Sequence, residues 1–142
     1  MSISQVRTYF RTHIATVDAN MKEWKNNFDE DSAPRRIHTK SYYLELGDME
    51  SDALSDHMTN DLLDANLYIF YKDQRYYMDN LDLAYDLAHS IRLELIKPQN
   101  AMTGTNIKNV ILNTATPRPF EHSDNAVVLL LNFSVNLVFG AI

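Results

Sequence analysis

The sequence predicts an α+β fold in which two helices pack on one face of a mostly antiparallel four-stranded sheet. Apolar residues recur every three to four positions in two segments, which is the period of a helix face. In four other segments they alternate with polar residues, as in strands. The predicted order is α-β-β-α-β-β, and successive strands without βαβ alternation favour antiparallel pairing. A chain of 142 residues fits a single domain spanning 1–142.

The first predicted helix covers the start of the chain and ends near Asp18. Ser2 and Gln5 are three residues apart, which fits a capping box at its beginning. The segment Met21–Phe28 either continues this helix or forms a separate turn. The predicted apolar face consists of Ile3, Val6, Phe10, Ile14 and Val17.

The second predicted helix begins at Asp79 or Asn80, since either side chain can cap a helix N-terminus. Pro98 ends it, because proline cannot continue a helix. The predicted apolar face consists of Leu81, Ala84, Leu87, Ala88, Ile91 and Leu95.

Four segments are predicted strands: Ser41–Leu46, Leu63–Tyr71, Ile107–Thr114 and Asn125–Phe139. The third is expected to stop before Pro117, because prolines interrupt a ladder. The last strand would be roughly 50 Å long at about 3.3 Å per residue. One small domain can hardly cover so long a strand, so we expect a neighbouring subunit to cover part of it.

This last strand and an aromatic cluster provide the candidate subunit interface. Every odd position from Val127 to Phe139 is apolar. Tyrosine and phenylalanine residues also occupy both faces near the end of the second strand, and such residues are enriched at interfaces. The residues assigned to the interface are Tyr68, Phe70, Phe133, Val135, Leu137 and Phe139.

The net charge of −6 is concentrated in one segment. Gly47–Asp64 contains six acidic residues and no Lys or Arg, and its lack of periodicity predicts an acidic loop at about 47–61. The alternating acids are similar to part of a calcium loop, but the required glycine and bidentate glutamate are missing. We interpret the segment as a solvated loop, whose acids Asp48, Glu50, Asp52 and Asp56 would repel nucleic acid or meet a basic partner.

Motifs that support catalysis or cofactor binding are missing from the sequence. Without cysteine, and with three isolated glycines, it has no thiolate site, zinc ribbon or phosphate-binding loop. The five histidines are scattered. We therefore expect no enzymatic activity, no cofactor and no metal. The acidic balance argues against wrapping nucleic acid. No apolar run is long enough for a membrane helix, and the start is too polar for a signal peptide.

The arrangement resembles the tail terminator (tail completion) proteins of long-tailed bacteriophages. The likeness rests on Val6–Arg11, Lys22–Phe28, Pro34–Ile37, Ser41–Gly47, Leu67–Lys72, Leu81–Ile96 and the closing apolar strand. It implies a homo-hexameric ring on the tail tube protein, which stops tube growth and presents a joint to the head-side connector protein. It also implies that DNA passes through the ring without sequence-specific contact. In such a ring the acidic loop with Asp48, Glu50, Asp52 and Asp56 would face the lumen or a partner. The expected location is the virion tail, after assembly in the bacterial host cytoplasm.

Two alternatives stay open. The first is another neck or head–tail connector component of the same virion. The second is a small-ligand-binding or enzymatic α+β domain. In that case the Tyr/Phe cluster would line a pocket, and His38, His57 or His122 would supply its polar group.

Overall fold

The fold is that of a computed structural model of the chain, which describes residues 4–24, 40–55, 58–97, 107–120 and 125–140. Two helices are present there, α1 (Ser4–Val17) and α2 (Tyr77–Leu95). The strands are β1 (Lys22–Glu23), β2 (Lys40–Ser55), β3 (Met58–Tyr71), β4 (Ile107–Pro119) and β5 (Val127–Gly140). They form one sheet in the order β1-β2-β3-β5-β4. All neighbours are antiparallel except β1 and β2, which are parallel.

The predicted four-stranded, mostly antiparallel sheet is therefore wrong, because the sheet has five strands and is mixed, with a parallel β1–β2 pair. The element order is α-β-β-β-α-β-β. The strand that the sequence missed, β1, has two residues, too few to show a period. It is fixed by contacts on either side of it. Arg11 of α1 donates two hydrogen bonds to the Glu23 carboxylate, at 2.6 and 3.0 Å, and the Trp24 N–H donates to the Tyr42 carbonyl at 2.8 Å.

The predicted acidic loop at about 47–61 is also wrong, because residues 47–55 belong to β2 and residues 58–61 to β3. The two strands pair from Lys40 and Tyr71 to Ser55 and Met58. A bulge between Leu46 and Met49 shifts the register, which breaks the two-residue period of the sequence. Residues 47–51 are exposed, so apolar alternation fades where the strand continues. Backbone pairing with β3 keeps this part of the chain extended.

The predicted end of the third strand before Pro117 is wrong as well. Pro117 and Pro119 both pair with β5, opposite Leu129 and Val127. Proline is tolerated there because β4 lies at the edge of the sheet. The ring nitrogens need no ladder partner when they face away from β5.

Both helices lie on one face of the sheet, as predicted. The ring of Phe10 in α1 meets that of Phe133 in β5 edge-on at 5.7 Å, and both side chains are fully buried. Ala84, Ala88, Ile91 and Leu95 of α2 belong to the same core. Burying a side chain such as Phe133 contributes about 1.5–3 kcal/mol. The β5 residues that face this core are Val127, Leu129, Leu131, Phe133, Val135 and Leu137.

The opposite side, here called the helix-free face, has a buried apolar cluster at one end. Phe70 is fully buried there, stacked on Trp24 with the ring centroids 5.1 Å apart and flanked edge-on by Phe120 at 5.6 Å. Ala126 and Val128 complete this second cluster. Further from it, this face of β3 and β5 carries Asp64, Asn66, Asn132 and Ser134, together with the exposed Leu62. The sheet thus has one helix-covered side and one mostly polar side.

The end of α1 agrees with the sequence, whereas the beginning of α2 differs from it. The first helix ends at Val17, and the Asp18 carboxylate accepts hydrogen bonds from Lys40 Nζ and the Asn20 N–H, each at 2.9 Å. The second begins at Tyr77, after an N-cap residue, Tyr76, that makes no side-chain cap bond. The predicted cap residues Asp79 and Asn80 therefore lie inside α2. The proposed capping residue Ser2 lies outside the described residues.

Candidate functional site

The acidic residues singled out in the sequence lie on the arm formed by β2 and β3. Asp48 and Glu50 are exposed on β2 and, together with Asp64 of β3, line a shallow hollow of about 270 Å³ on the helix-free face. Asp52 is on β2, and Asp56 lies outside the described residues. The structure thus brings Asp48 and Glu50 together and adds Asp64. No metal-binding group of three or more acidic or histidine residues occurs among the residues described.

A network of side-chain amides crosses the same face beside the acids. The Asn132 amide donates to Asp64 Oδ1 and to Asn66 Oδ1, both at 2.8 Å. The Asn113 amide donates to Asn132 Oδ1 at 3.0 Å and to Ser134 Oγ at 2.7 Å. These bonds tie three adjacent strands together across the face. The sequence shows the polar alternation of β5, but the partners depend on the sheet order.

The aromatic cluster is packed rather than open. Phe70 is buried between Trp24 and Phe120, and the rings of Tyr43 and Tyr68 meet edge-on at 5.8 Å. Among the described residues, these rings thus pack against one another, and the small-ligand alternative stays a prediction. The histidines named for that pocket, His38, His57 and His122, lie outside the described residues.

The residues assigned to a subunit interface lie mainly inside the chain's own core. Phe133, Val135 and Leu137 are fully buried there, and β5 has β3 on one side and β4 on the other. The argument that the domain cannot cover its last strand was therefore wrong. Phe70 is buried on the helix-free face, Tyr68 is partly buried, and Phe139 lies in β5 by its backbone. Their assignment to an interface stays a prediction.

Two long strand edges lie at the sides of the sheet. In the described part of the chain, no strand pairs with the outer edge of β4, and β1 reaches β2 only at Ser41 and Tyr42. The Leu44 carbonyl on β2 accepts a hydrogen bond from Arg7 Nη1 at 2.8 Å. Beyond this point β2 continues to Ser55.

An apolar groove runs beside the β4 edge on the helix side. It has a volume of about 190 Å³ and is lined by Tyr85, Ala88, Leu112, Ala115 and Leu131, with His89 and Arg92 at polar positions. The groove exists because the side chains of α2 do not cover the end of β4, where residues 113–119 are exposed. The sequence carries no signal for it, since its lining comes from three separate elements.

Two buried tyrosines have strongly shifted acidities. Burial, reinforced by the negative charge of Glu94, raises the pKa of Tyr9 to about 12. Burial, reinforced by Glu23, likewise raises the pKa of Tyr42 to about 12. The Tyr9 hydroxyl donates a 2.6 Å hydrogen bond to the Leu95 carbonyl, which joins α1 to the end of α2. The Tyr9 and Tyr42 hydroxyls are neutral at physiological pH, and their place in the core is structural.

No helix in the described part of the chain is long and apolar enough to span a membrane.

Comparison with known proteins gives one informative result. No protein-family model matches the chain, and no curated protein matches it. Among solved structures, it is similar to a chain of the structure described as the virion of a native gene transfer agent (GTA) particle. The TM-score is 0.57 at 12% identity, with 94% of this chain and 91% of that chain covered. The two chains share a fold over nearly their whole lengths.

Proposed function

We propose that this chain is a structural protein of a virion, and that it acts as a phage tail terminator. The observation that carries the proposal is the fold shared with a chain of a gene transfer agent virion, over 94% of this chain and 91% of that one. Because the shared fold covers nearly all of both chains, it supports a common role for the whole domain. The resemblance of the sequence to tail terminators gives the finer role: a homo-hexameric ring that caps the tail tube and joins it to the head-side connector.

The distribution of polar groups supports an orientation within such a ring. The helix-free face carries exposed Glu45, Asp48 and Glu50, partly buried Asp64 and the asparagine network. Acidic side chains repel phosphates, so DNA can move past this face without sticking, although the face also exposes Leu62 (45%) and Ile111 (53%). We therefore place the helix-free face toward the passage for DNA and the helices toward the outside.

The first test is the mass of the purified protein in solution. Six copies of 16.4 kDa give 98.4 kDa, and we expect light scattering to show this mass together with ring-shaped particles in negative stain. The protein is then added to tail tubes of its own virion that lack their final ring. Binding at one tube end, with restored head joining, supports the terminator role. Binding to heads instead of tubes would assign the chain to the connector side of the neck. A monomer that binds neither would contradict the proposal.

A further inference from the structure

We infer that copies of this chain join edge to edge, with the outer edge of β4 in one copy pairing with the β2 edge of the next. This edge contact would join neighbouring subunits of the proposed ring. The inference rests on the proposed function, because it requires that the chain associates with itself. The occupant of the β4 edge is thus a second copy of the chain.

The strand directions permit this join without turning a copy over. The four long strands alternate in direction across the sheet, so β2 and β4, at its two sides, run in opposite directions. When one copy follows another in the same orientation, β4 and the neighbouring β2 are therefore antiparallel. Such a contact is head-to-tail and can close into a ring. In this arrangement the helix-covered faces of neighbouring copies lie on the same side of the joined sheets, and the helix-free faces lie on the other side.

The apolar surfaces at the two edges match. Met49 of β2 lies opposite the buried Leu63 and hence on the helix side, yet it is 46% exposed. At the other edge, the groove lined by Tyr85, Leu112 and Ala115 is open on the same side. In strand addition, backbone hydrogen bonds supply affinity, while alternate side chains fill pockets beside the edge. Met49 of one copy is placed to enter the groove of the next.

The charges of the two edges are complementary. The part of β4 before Pro117 carries Lys108 and no acidic residue. β2 carries four acidic residues, and its one lysine, Lys40, is already paired with Asp18 at 2.9 Å. Like edges would therefore repel one another, and unlike edges attract. Pro117 and Pro119 also lack the N–H groups that a neighbour would need, which limits pairing to the earlier part of β4.

Cysteine cross-linking tests the contact directly, because the chain has no native cysteine. Glu50→Cys and Ile111→Cys place thiols on exposed positions of β2 and β4, both on the helix-free face. With a short bis-maleimide, we expect a cross-linked dimer when the two variants are mixed and none from either variant alone. The double variant should give a ladder of bands up to the ring. In the control, Glu50→Cys is mixed with Tyr76→Cys in place of Ile111→Cys. Tyr76 precedes α2 and is 60% exposed, and this mixture should give no cross-linked dimer.

A second pair of variants tests the apolar match. Met49→Ser should weaken association about tenfold or more, since it removes an apolar side chain from the groove. Leu93→Ser, on α2, is the matched control, because Leu93 is 47% exposed against 46% for Met49. The control should associate like the unmodified chain.

The outcomes separate this inference from the proposed ring. An oligomer that gives no cross-link between Glu50→Cys and Ile111→Cys overturns the edge contact and leaves the ring standing. A cross-link within Glu50→Cys alone shows that like edges pair, which overturns the head-to-tail arrangement. A monomeric mass with no cross-link counts against both the edge contact and the ring.

Discussion

Asn80 is a single buried residue on which the turn before α2 depends. Its carbonyl accepts the N–H groups of Asp73 and Gln74 at 3.0 and 2.7 Å, and its amide donates to the carbonyls of Gln74 and Asn125 at 3.1 and 2.8 Å. Asn80 itself has no exposed surface. Asn80 thus connects the β3–α2 turn to the residue that precedes β5. The helix-cap role predicted from the sequence does not account for these four hydrogen bonds.

We expect Asn80→Ala to lower the free energy of unfolding by about 2–4 kcal/mol, because it leaves buried backbone groups without partners. Urea unfolding followed by circular dichroism measures the change. Asp82→Ala, at an exposed position of the same helix, is the control and should stay within about 0.5 kcal/mol. If both variants unfold like the unmodified chain, the network does not stabilise the fold.

Tyr9 and Tyr42 predict how stability depends on alkaline pH. Their pKa values are about 12 in the folded chain, above the ordinary 10.0, so the folded state holds its protons more tightly than the unfolded state. This stabilisation is complete below pH 10 and is lost as the pH rises toward 12. At about 1.4 kcal/mol per pKa unit, each tyrosine accounts for at most roughly 3 kcal/mol.

The test is a series of unfolding curves between pH 8 and 12. The double variant Tyr9→Phe, Tyr42→Phe should show a flatter decline than the unmodified chain over the last two units. Tyr76→Phe, at an exposed position, is the matched control for the removal of a tyrosine hydroxyl. If the pH dependence of stability were the same in the double variant, the Tyr9 and Tyr42 hydroxyls would have the same pKa in the folded and unfolded states.

At the level of elements, the success of sequence reasoning depended on how much apolar periodicity each element carries. β5 is predicted almost to the residue, because Val127–Leu137 alternates without interruption on the helix side. The extension of β2 and β3 over residues 47–55 and 58–62 was missed, because the bulge before Met49 interrupts the period and residues 47–51 face water. β1 was missed because a two-residue strand is defined only by its partner. Among the candidate site residues, the acidic ones could be found from composition alone. The apolar groove beside β4 could not, because its lining residues come from three separate elements.

The segment that contains β1 also covers the helix-free face, through the only tryptophan of the chain. Trp24 stacks on Phe70 with an angle of 27° between the rings, so Trp24→Ala uncovers the second cluster. We expect a loss of about 2–3 kcal/mol in the free energy of unfolding, measured by circular dichroism. Trp24→Phe should recover most of it, since a ring is kept. A loss below about 0.5 kcal/mol for Trp24→Ala would show that this contact contributes little.

For the whole molecule, the proposed ring makes the two faces of the sheet functionally unequal. Leu62 on β3 is 45% exposed on the helix-free face, whereas Leu93 on α2 is 47% exposed on the helix side. Replacing either leucine with lysine adds one positive charge per chain, at nearly equal cost in buried apolar surface. In a hexamer, however, only Leu62→Lys would place six new charges around the passage for DNA.

We therefore expect the unmodified ring and the Leu93→Lys ring to bind a linear DNA duplex weakly or not at all. The Leu62→Lys ring should bind about tenfold tighter or more, with an affinity that falls as salt is raised, because lysine–phosphate contacts release counterions. Titration of labelled duplex at several salt concentrations, with the oligomer mass checked in parallel, measures the difference. The two variants have equal net charge, so a general electrostatic effect would raise both affinities alike. Equal binding by both rings would mean that the helix-free face does not line the passage, even if the ring itself forms.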